Sequence, residues 1–255
     1  MAFGDPQDWS TEFSTEAATA LEDSFAAEPR AATMSMRVLS VNVGLPRQVP
    51  TAHGAVLTSI FKQPVEGRIA LRAYNLEGDR QSDLRVHGGP YKAVYAYPSE
   101  HYGYWAEELP DIDWAFGNFG ENLTTEGLLE ESVHIGDQFR IGSAVLQVSQ
   151  PRMPCFKLAL RLGRSDMVKR FWKSGRSGIY FSIVEEGELG PGDIMERVAE
   201  HPDRVSVADV VRIYKREDMS QELLERLERA PLYGSWKREI RERWEAAEAQ
   251  TALEF

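Results

Sequence analysis

The chain has 255 residues, 42% of them hydrophobic and 10% aromatic, enough for a real core in one large domain or a domain with a small appendage. A net charge of −11 argues against nonspecific nucleic-acid binding, which needs a basic footprint, and a single cysteine excludes an internal disulfide, as suits a reducing compartment. No apolar run reaches membrane-span length, and the N-terminus lacks the basic-then-apolar layout of a signal peptide, so a cytoplasmic protein with no membrane or nucleic-acid partner is expected.

Residues 1–33 set Asp5, Asp8, Glu12, Glu16, Glu22, Asp23 and Glu28 against Arg30 alone, and read as a poorly ordered acidic leader with a marginal helix over Thr15–Ala27. Met34 or Met36 is a candidate start, with the leader an extension or a start-site artefact. Leu39, Val41 and Val43 alternate as on a half-buried strand. Further short strands are predicted over Gly54–Phe61, Arg68–Asn75, Tyr91–Tyr97, Glu121–Thr124, Gln138–Ile141, Ala144–Ser149, Ile179–Ile183 and Asp193–Glu196. Turn signals divide them, and Ile141-Gly142-Ser143-Ala144 reads as a tight hairpin. Helices are predicted over Ser99–Leu109 and Asp166–Lys173, with another starting at or just after Cys155. Many short strands with few helices imply a closed or nearly closed barrel, which removes exposed sheet edges.

Past residue 203 the period changes to a helical one. Ser206 and Ser220 are N-cap candidates, Leu223, Leu224 and Leu227 form a stripe, and Trp236, Ile240 and Trp244 lie four apart on one face. Three such amphipathic helices bury little area singly, so they must pack together or on the barrel. The expected fold is thus mainly β with α: a β-barrel domain over 34–200, then a small three-helix module over 204–250.

Cys155, in Gln150-Pro151-Arg152-Met153-Pro154-Cys155-Phe156-Lys157, sits at a strand-to-helix junction between Arg152 and Lys157. Thiolate is the nucleophilic and metal-binding form of cysteine, and neighbouring cations favour it. A small buried hydrophobe is the plain structural alternative. In Arg85-Val86-His87-Gly88-Gly89-Pro90-Tyr91-Lys92, the glycines allow backbone N–H groups close to an anion, and His87 and Lys92 add donors or charge. A turn needing positive φ explains the same residues. In Phe119-Gly120-Glu121-Asn122-Leu123, Glu121 could exchange a proton and Asn122 could both donate and accept hydrogen bonds. A packed loop closing one barrel end is the alternative. The five histidines lack the close pairing of a zinc site, and no hydrolase, kinase or dinucleotide motif is present.

Taken together, His87-Gly88-Gly89, Lys92 to Pro98, Phe119 to Leu123 and Gln150 to Lys157 resemble the MOSC domain, named after the C-terminal part of molybdenum cofactor sulfurase. The resemblance runs from about Met36 to Val198, and the helical tail resembles the three-helix domain of the YiiM-type branch. It implies a MOSC-type β-barrel holding a molybdenum–molybdopterin cofactor, with Cys155 as the protein thiolate on the metal. It also implies reduction of N-hydroxylated compounds such as hydroxylamino-purine base analogues. A basic residue that helps hold the pterin phosphate in mitochondrial amidoxime-reducing relatives is absent at Gly120-Glu121, so Arg152, Lys157 and Lys92 are the candidates here, with Gly88, Gly89 and Gly120 as further cofactor contacts. His87 or Glu121 would relay protons, and Asn122 would orient the bound oxygen or substrate.

A soft thiolate suits a sulfur-bound metal, and the cofactor brings the rest of the coordination sphere. Electrons would come from a separate flavin-type reductase, since no flavin or iron–sulfur motif is visible; the fold leaves room for a homodimer. Two other readings use the same residues: a sulfur carrier with a Cys155 persulfide for metal–sulfur cofactor assembly, and a molybdopterin carrier that turns nothing over.

Overall fold

The computed structural model describes residues 35–51, 54–82 and 88–253. The acidic leader, its expected helix and His87 lie outside the described residues.

The strands are β1 (Arg37–Val43), β2 (Arg47–Thr51), β3 (Gly54–Thr58), β4 (Gln63–Val65), β5 (Ile69–Arg72), β6 (Asn75–Leu76), β7 (Val94–Pro98) and β8 (Leu123–Glu126). After them come β9 (Gln138–Ile141), β10 (Ala144–Pro151), β11 (Ile179–Glu185), β12 (Gly187–Leu189) and β13 (Met195–Ala199). Eight of these form one sheet in the order β13-β9-β10-β11-β7-β8-β1-β4, antiparallel throughout except for the parallel pair β7–β8. The sheet curls back on itself. Val38 N–H donates to the Asp193 carbonyl (2.9 Å), Gly192 N–H to Val38 (2.8 Å) and Met195 N–H to Met36 (2.8 Å), stitching the β13 end to β1. Among the described residues no ladder runs through that seam, so the barrel is nearly closed rather than closed. The Gly142 hairpin is present as predicted, with Ile141 opposite Ala144.

Two predicted strands are redrawn by proline and by side-chain capture. Over Tyr91–Tyr97 the chain first makes a 3-10 turn at Pro90–Lys92, because proline offers no N–H to a ladder, and extends only from Val94. Over Gly54–Phe61 the ladder stops at Thr58, beyond which Ser59 Oγ donates to the Arg80 carbonyl and holds Ser59–Lys62 away from β2. The pairing partner β2 shows no alternation in Arg47-Gln48-Val49-Pro50-Thr51, and it pairs only in a two-stranded hairpin where Pro50 is tolerated.

Helices α1 (Glu100–Glu108), α2 (Phe156–Leu162) and α3 (Met167–Ser174) pack on one side of the sheet. There Tyr97, Tyr102, Trp105, Phe119, Leu158 and Phe171 form an aromatic core, with Tyr97 stacked on Phe119 at 4.2 Å between ring centroids. Helices α4 (Val207–Lys215), α5 (Gln221–Arg229) and α6 (Gly234–Leu253) follow. Ser206 closes a capping box with Asp209, and the Ser220 hydroxyl accepts from Leu223 N–H, as the sequence suggests. Val210, Ile213, Leu227, Trp236, Ile240 and Trp244 join Val148 and Phe139 in one continuous hydrophobic core. The tail therefore packs on the sheet. At about 25 cal/mol per Å² of apolar surface buried, that packing outweighs any intrinsic stability of nine-residue helices.

Candidate functional site

The site is a hollow lined by Tyr95 at the start of β7, Tyr180 at the start of β11, Arg152 and Cys155 just after β10, and Gly120 and Asn122 in the turn that leads into β8. Its floor is a buried polar network. Asn122 precedes β8, and its side chain does what a ladder residue would do: Oδ1 accepts from Tyr95 N–H (3.1 Å), while its backbone N–H donates to the Tyr95 carbonyl (2.7 Å). Its Nδ2 donates to Asp79 Oδ2 (2.9 Å), and Asp79 Oδ1 accepts from Gly44 N–H (2.9 Å) and from the Lys62 ammonium. Burial pushes the Lys62 pKa down, opposed by the attraction of Asp79. The pair is thus a desolvated ion pair with additional hydrogen bonds on the carboxylate, the condition under which such a pair holds together.

Glu121 is fully buried but does not face the hollow. Its carboxylate accepts from Gly117 N–H (2.7 Å), Phe119 N–H (3.1 Å), Thr124 Oγ1 (2.9 Å) and the Tyr102 hydroxyl, so it ties the loop into a fixed turn. Burial raises its pKa against those donors. Gly120 does line the hollow. At φ 73° it takes a left-handed conformation, and a Cβ there would lie 2.7 Å from Ile60 Cγ1, so glycine is required twice over.

Cys155 is half-buried at the residue before α2, in extended backbone, and its thiol lines the hollow. Arg152 is buried beneath it, donating to the Phe119 carbonyl, with its guanidinium 4.7 Å from the Tyr95 ring centroid. Lys157 donates to Ser82 Oγ (3.1 Å), and Lys92, whose pKa burial lowers against the attraction of Cys155 and Glu239, stands at the rim. Among the described residues that line the hollow, four cations, Lys62, Lys92, Arg152 and Lys157, stand with one carboxylate, Asp79, in an otherwise acidic protein. Tyr180 completes the wall: its ring lies 4.9 Å from Tyr95, and burial raises its pKa, which keeps the phenol protonated. Exposed Met153 and Phe156 flank the cysteine in sequence.

Of the residues singled out in the sequence, Cys155, Arg152, Lys157, Lys92, Asn122 and Gly120 come together here. Glu121 supports the loop from behind. Gly88 and Gly89 do not line the hollow; Gly89, at φ 85°, turns the chain into Pro90–Lys92. Lys62, Asp79, Gln81, Tyr95 and Tyr180 were missed. A lysine inside the apolar run Ile60-Phe61-Lys62 was the available signal for one of them, while Asp79 looked like an ordinary turn residue after Gly78.

The donor set suits an anionic, sulfur-seeking metal group: one half-buried cysteine beside a cluster of cations. Among the described residues no three His, Cys, Asp or Glu side chains are grouped to hold a metal ion by themselves. No described helix is long and apolar enough to cross a membrane.

Comparison with known proteins gives consistent matches. The MOSC domain family model matches residues 83–196. YflK of Bacillus subtilis (strain 168) is 43% identical over 201 residues, covering 78% of this chain and 90% of YflK. YiiM of Escherichia coli (strain K12) is 39% identical over 189 residues, covering 73% of this chain and 84% of YiiM. A protein of Gibberella moniliformis named "Reductase" is 34% identical over 182 residues, covering 70% of this chain but 32% of its own length. The crystal structure of YiiM from Geobacillus stearothermophilus superposes with a TM-score of 0.67 at 33% identity, covering 82% of this chain and 99% of that one.

Proposed function

The chain belongs to the MOSC domain family, and from that premise we propose that it is a molybdenum cofactor-dependent reductase of N-hydroxylated compounds, of the hydroxylamino-purine type. The observation that carries the reading is Cys155: a half-buried cysteine lining a hollow together with Lys62, Lys92, Arg152 and Lys157. The name of the fungal relative, "Reductase", agrees with the reaction class. When bound, the molybdenum cofactor supplies a two-electron centre able to take oxygen from nitrogen. In sum, R–NHOH gains two electrons and two protons and leaves as R–NH2 and water, the electrons coming from a separate flavin-type reductase.

The chain's own residues do the rest. Cys155 binds the metal as thiolate. Arg152, Lys157 and Lys92 neutralise the cofactor's phosphate, a charge-assisted contact stronger than a neutral hydrogen bond. The Tyr180 phenol, kept protonated by burial, donates to the substrate oxygen. Asn122, held by Tyr95 and Asp79, would orient the bound oxygen or substrate, and His87 remains the candidate proton relay.

The test is elemental and pterin analysis of protein made in a cofactor-producing host, followed by reduction of a hydroxylamino-purine. Cys155→Ser is expected to lose both molybdenum and turnover while keeping its melting temperature. Full turnover in that variant refutes the ligand role.

A further inference from the structure

Two arginines converge on one ring beside the hollow. Arg47, exposed on β2, sets its guanidinium 3.7 Å from the Phe61 ring centroid, and Arg161, half-buried on α2, sets its own at 5.2 Å. Among the described residues Arg47 has no hydrogen bond and no ion pair, and Arg161 has one bond, from Nη2 to Asn118 Oδ1 (2.5 Å). Burial lowers the Arg161 pKa, attraction to Glu121 opposes that shift, and repulsion from Arg47 adds to it. The C-terminal turn of α2 accounts for one cation at 161, but not for a second brought to the same ring. Carboxylates are plentiful in a chain of net charge −11, yet none of the described ones pairs with either guanidinium.

The pair adjoins the site. Ile60 and Lys62, on either side of Phe61 in sequence, line the hollow. So do Gly120, two residues past Asn118, and Lys157, one helical turn before Arg161 on the same face of α2. About 9 Å of helix rise separates Cys155 from Arg161, which leaves room for a sugar between a base at the cysteine and an anion at the arginines. Guanidinium forks match phosphate oxygens, so one phosphate dianion answers both arginines at once.

We propose that Arg47 and Arg161 form a phosphate subsite for the substrate, which is then an N-hydroxylated purine nucleoside monophosphate rather than the free base. The assignment rests on the reductase reading above and deepens it. Arg152, Lys157 and Lys92 stay with the cofactor's phosphate, and the arginine pair takes the substrate's. Both arginines hold the substrate and neither reacts.

The test uses full-length protein from a molybdenum cofactor-producing host, with pterin counted per chain first. Calorimetry then measures binding of two unreactive probes, adenosine 5′-monophosphate and adenosine, to wild type, Arg47→Met and Arg161→Met. Charge-assisted bonds at a partly exposed site predict that wild type binds the monophosphate about tenfold more tightly than the nucleoside. Each variant is expected to lose most of that preference while keeping its adenosine affinity and its pterin content. Arg47 is exposed and bonded to no described side chain, so Arg47→Met is expected to melt like wild type and reads binding rather than folding. A wild type with no preference for the monophosphate overturns the assignment, as does an Arg47→Met that keeps the full preference. Pterin lost together with the preference also overturns it, because the pair then serves the cofactor's phosphate. Wild type without pterin removes the reductase reading instead, and the effect of Arg47→Met on the two probes still decides the subsite.

Discussion

Glu121 separates a chemical role from a structural one. Truncation by Glu121→Ala strands the N–H groups of Gly117 and Phe119, which cannot turn to other partners; the Tyr102 and Thr124 hydroxyls can rotate. Each stranded buried donor costs about 1–3 kcal/mol, and the vacated volume adds roughly 1 kcal/mol. Relief of the buried carboxyl's own desolvation, visible in its raised pKa, takes some of this back. The net expectation is about 4 kcal/mol, which for a domain of this size lowers the melting temperature by about 8–16 °C. Glu121→Gln keeps one acceptor oxygen but sets an NH2 group against a backbone donor, so about 1–2 kcal/mol is expected. The assay is thermal and urea unfolding of the cofactor-free protein by circular dichroism, beside turnover of the loaded protein. If Glu121→Ala melts within about 3 °C of wild type yet loses turnover, the clamp argument fails and the carboxylate acts in the chemistry.

Further outcomes follow from the same network. Asp79→Ala leaves the Lys62 ammonium buried without its carboxylate and is expected to cost about 3–5 kcal/mol, whereas Lys62→Met with Asp79→Leu recovers part of the loss in a urea double-mutant cycle. Gly120→Ala is expected to cost roughly 2 kcal/mol in thermal unfolding, from left-handed φ and the contact with Ile60. Glu121 also gives a pH signature. Its folded pKa is raised, so above its unfolded pKa the folded state binds more proton than the unfolded one, and its contribution to stability is full below that value and declines as pH rises through the folded pKa. A stability–pH curve for Glu121→Gln should lose that part of the decline; a curve parallel to wild type refutes the assignment.

Local features of the fold were legible because local chemistry decides them. The Gly142 hairpin, the Ser206 and Ser220 caps and the Leu223–Leu227 stripe depend on neighbours within four residues. Cys155 was legible for a different reason, being the chain's one cysteine, with Arg152 and Lys157 two or three residues away. Asp79 was not legible. What makes it a site residue is Lys62 seventeen positions back and Asn122 forty-three positions on, pairings created only when the strands assemble. Glu121 shows the same limit from the other side: a carboxylate next to a loop glycine looks reactive in sequence, and only the fold shows Gly117 and Phe119 turning their N–H groups onto it. The number of donors around a carboxylate is a property of the folded loop.

The same long-range pairings explain why a thiol can stand open in this fold without loosening it. A pocket edge is ordinarily the least stable part of a domain, since its backbone groups lack ladder partners. Here Asn122 partners Tyr95 of β7 with its side-chain oxygen and its backbone N–H, Asp79 joins it to Gly44 just after β1, and Arg152 fastens the Phe119 carbonyl to the segment that carries Cys155. Three strands and the loop above them are therefore held by polar contacts inside the wall rather than by apolar filling of the hollow. Among the described residues that arrangement bounds the space beside Cys155 with hydrogen-bonded groups, which is the condition for holding a ligand in one orientation. It also concentrates cations where their desolvation is shared with Asp79, so an acidic protein presents a basic interior to an anionic ligand.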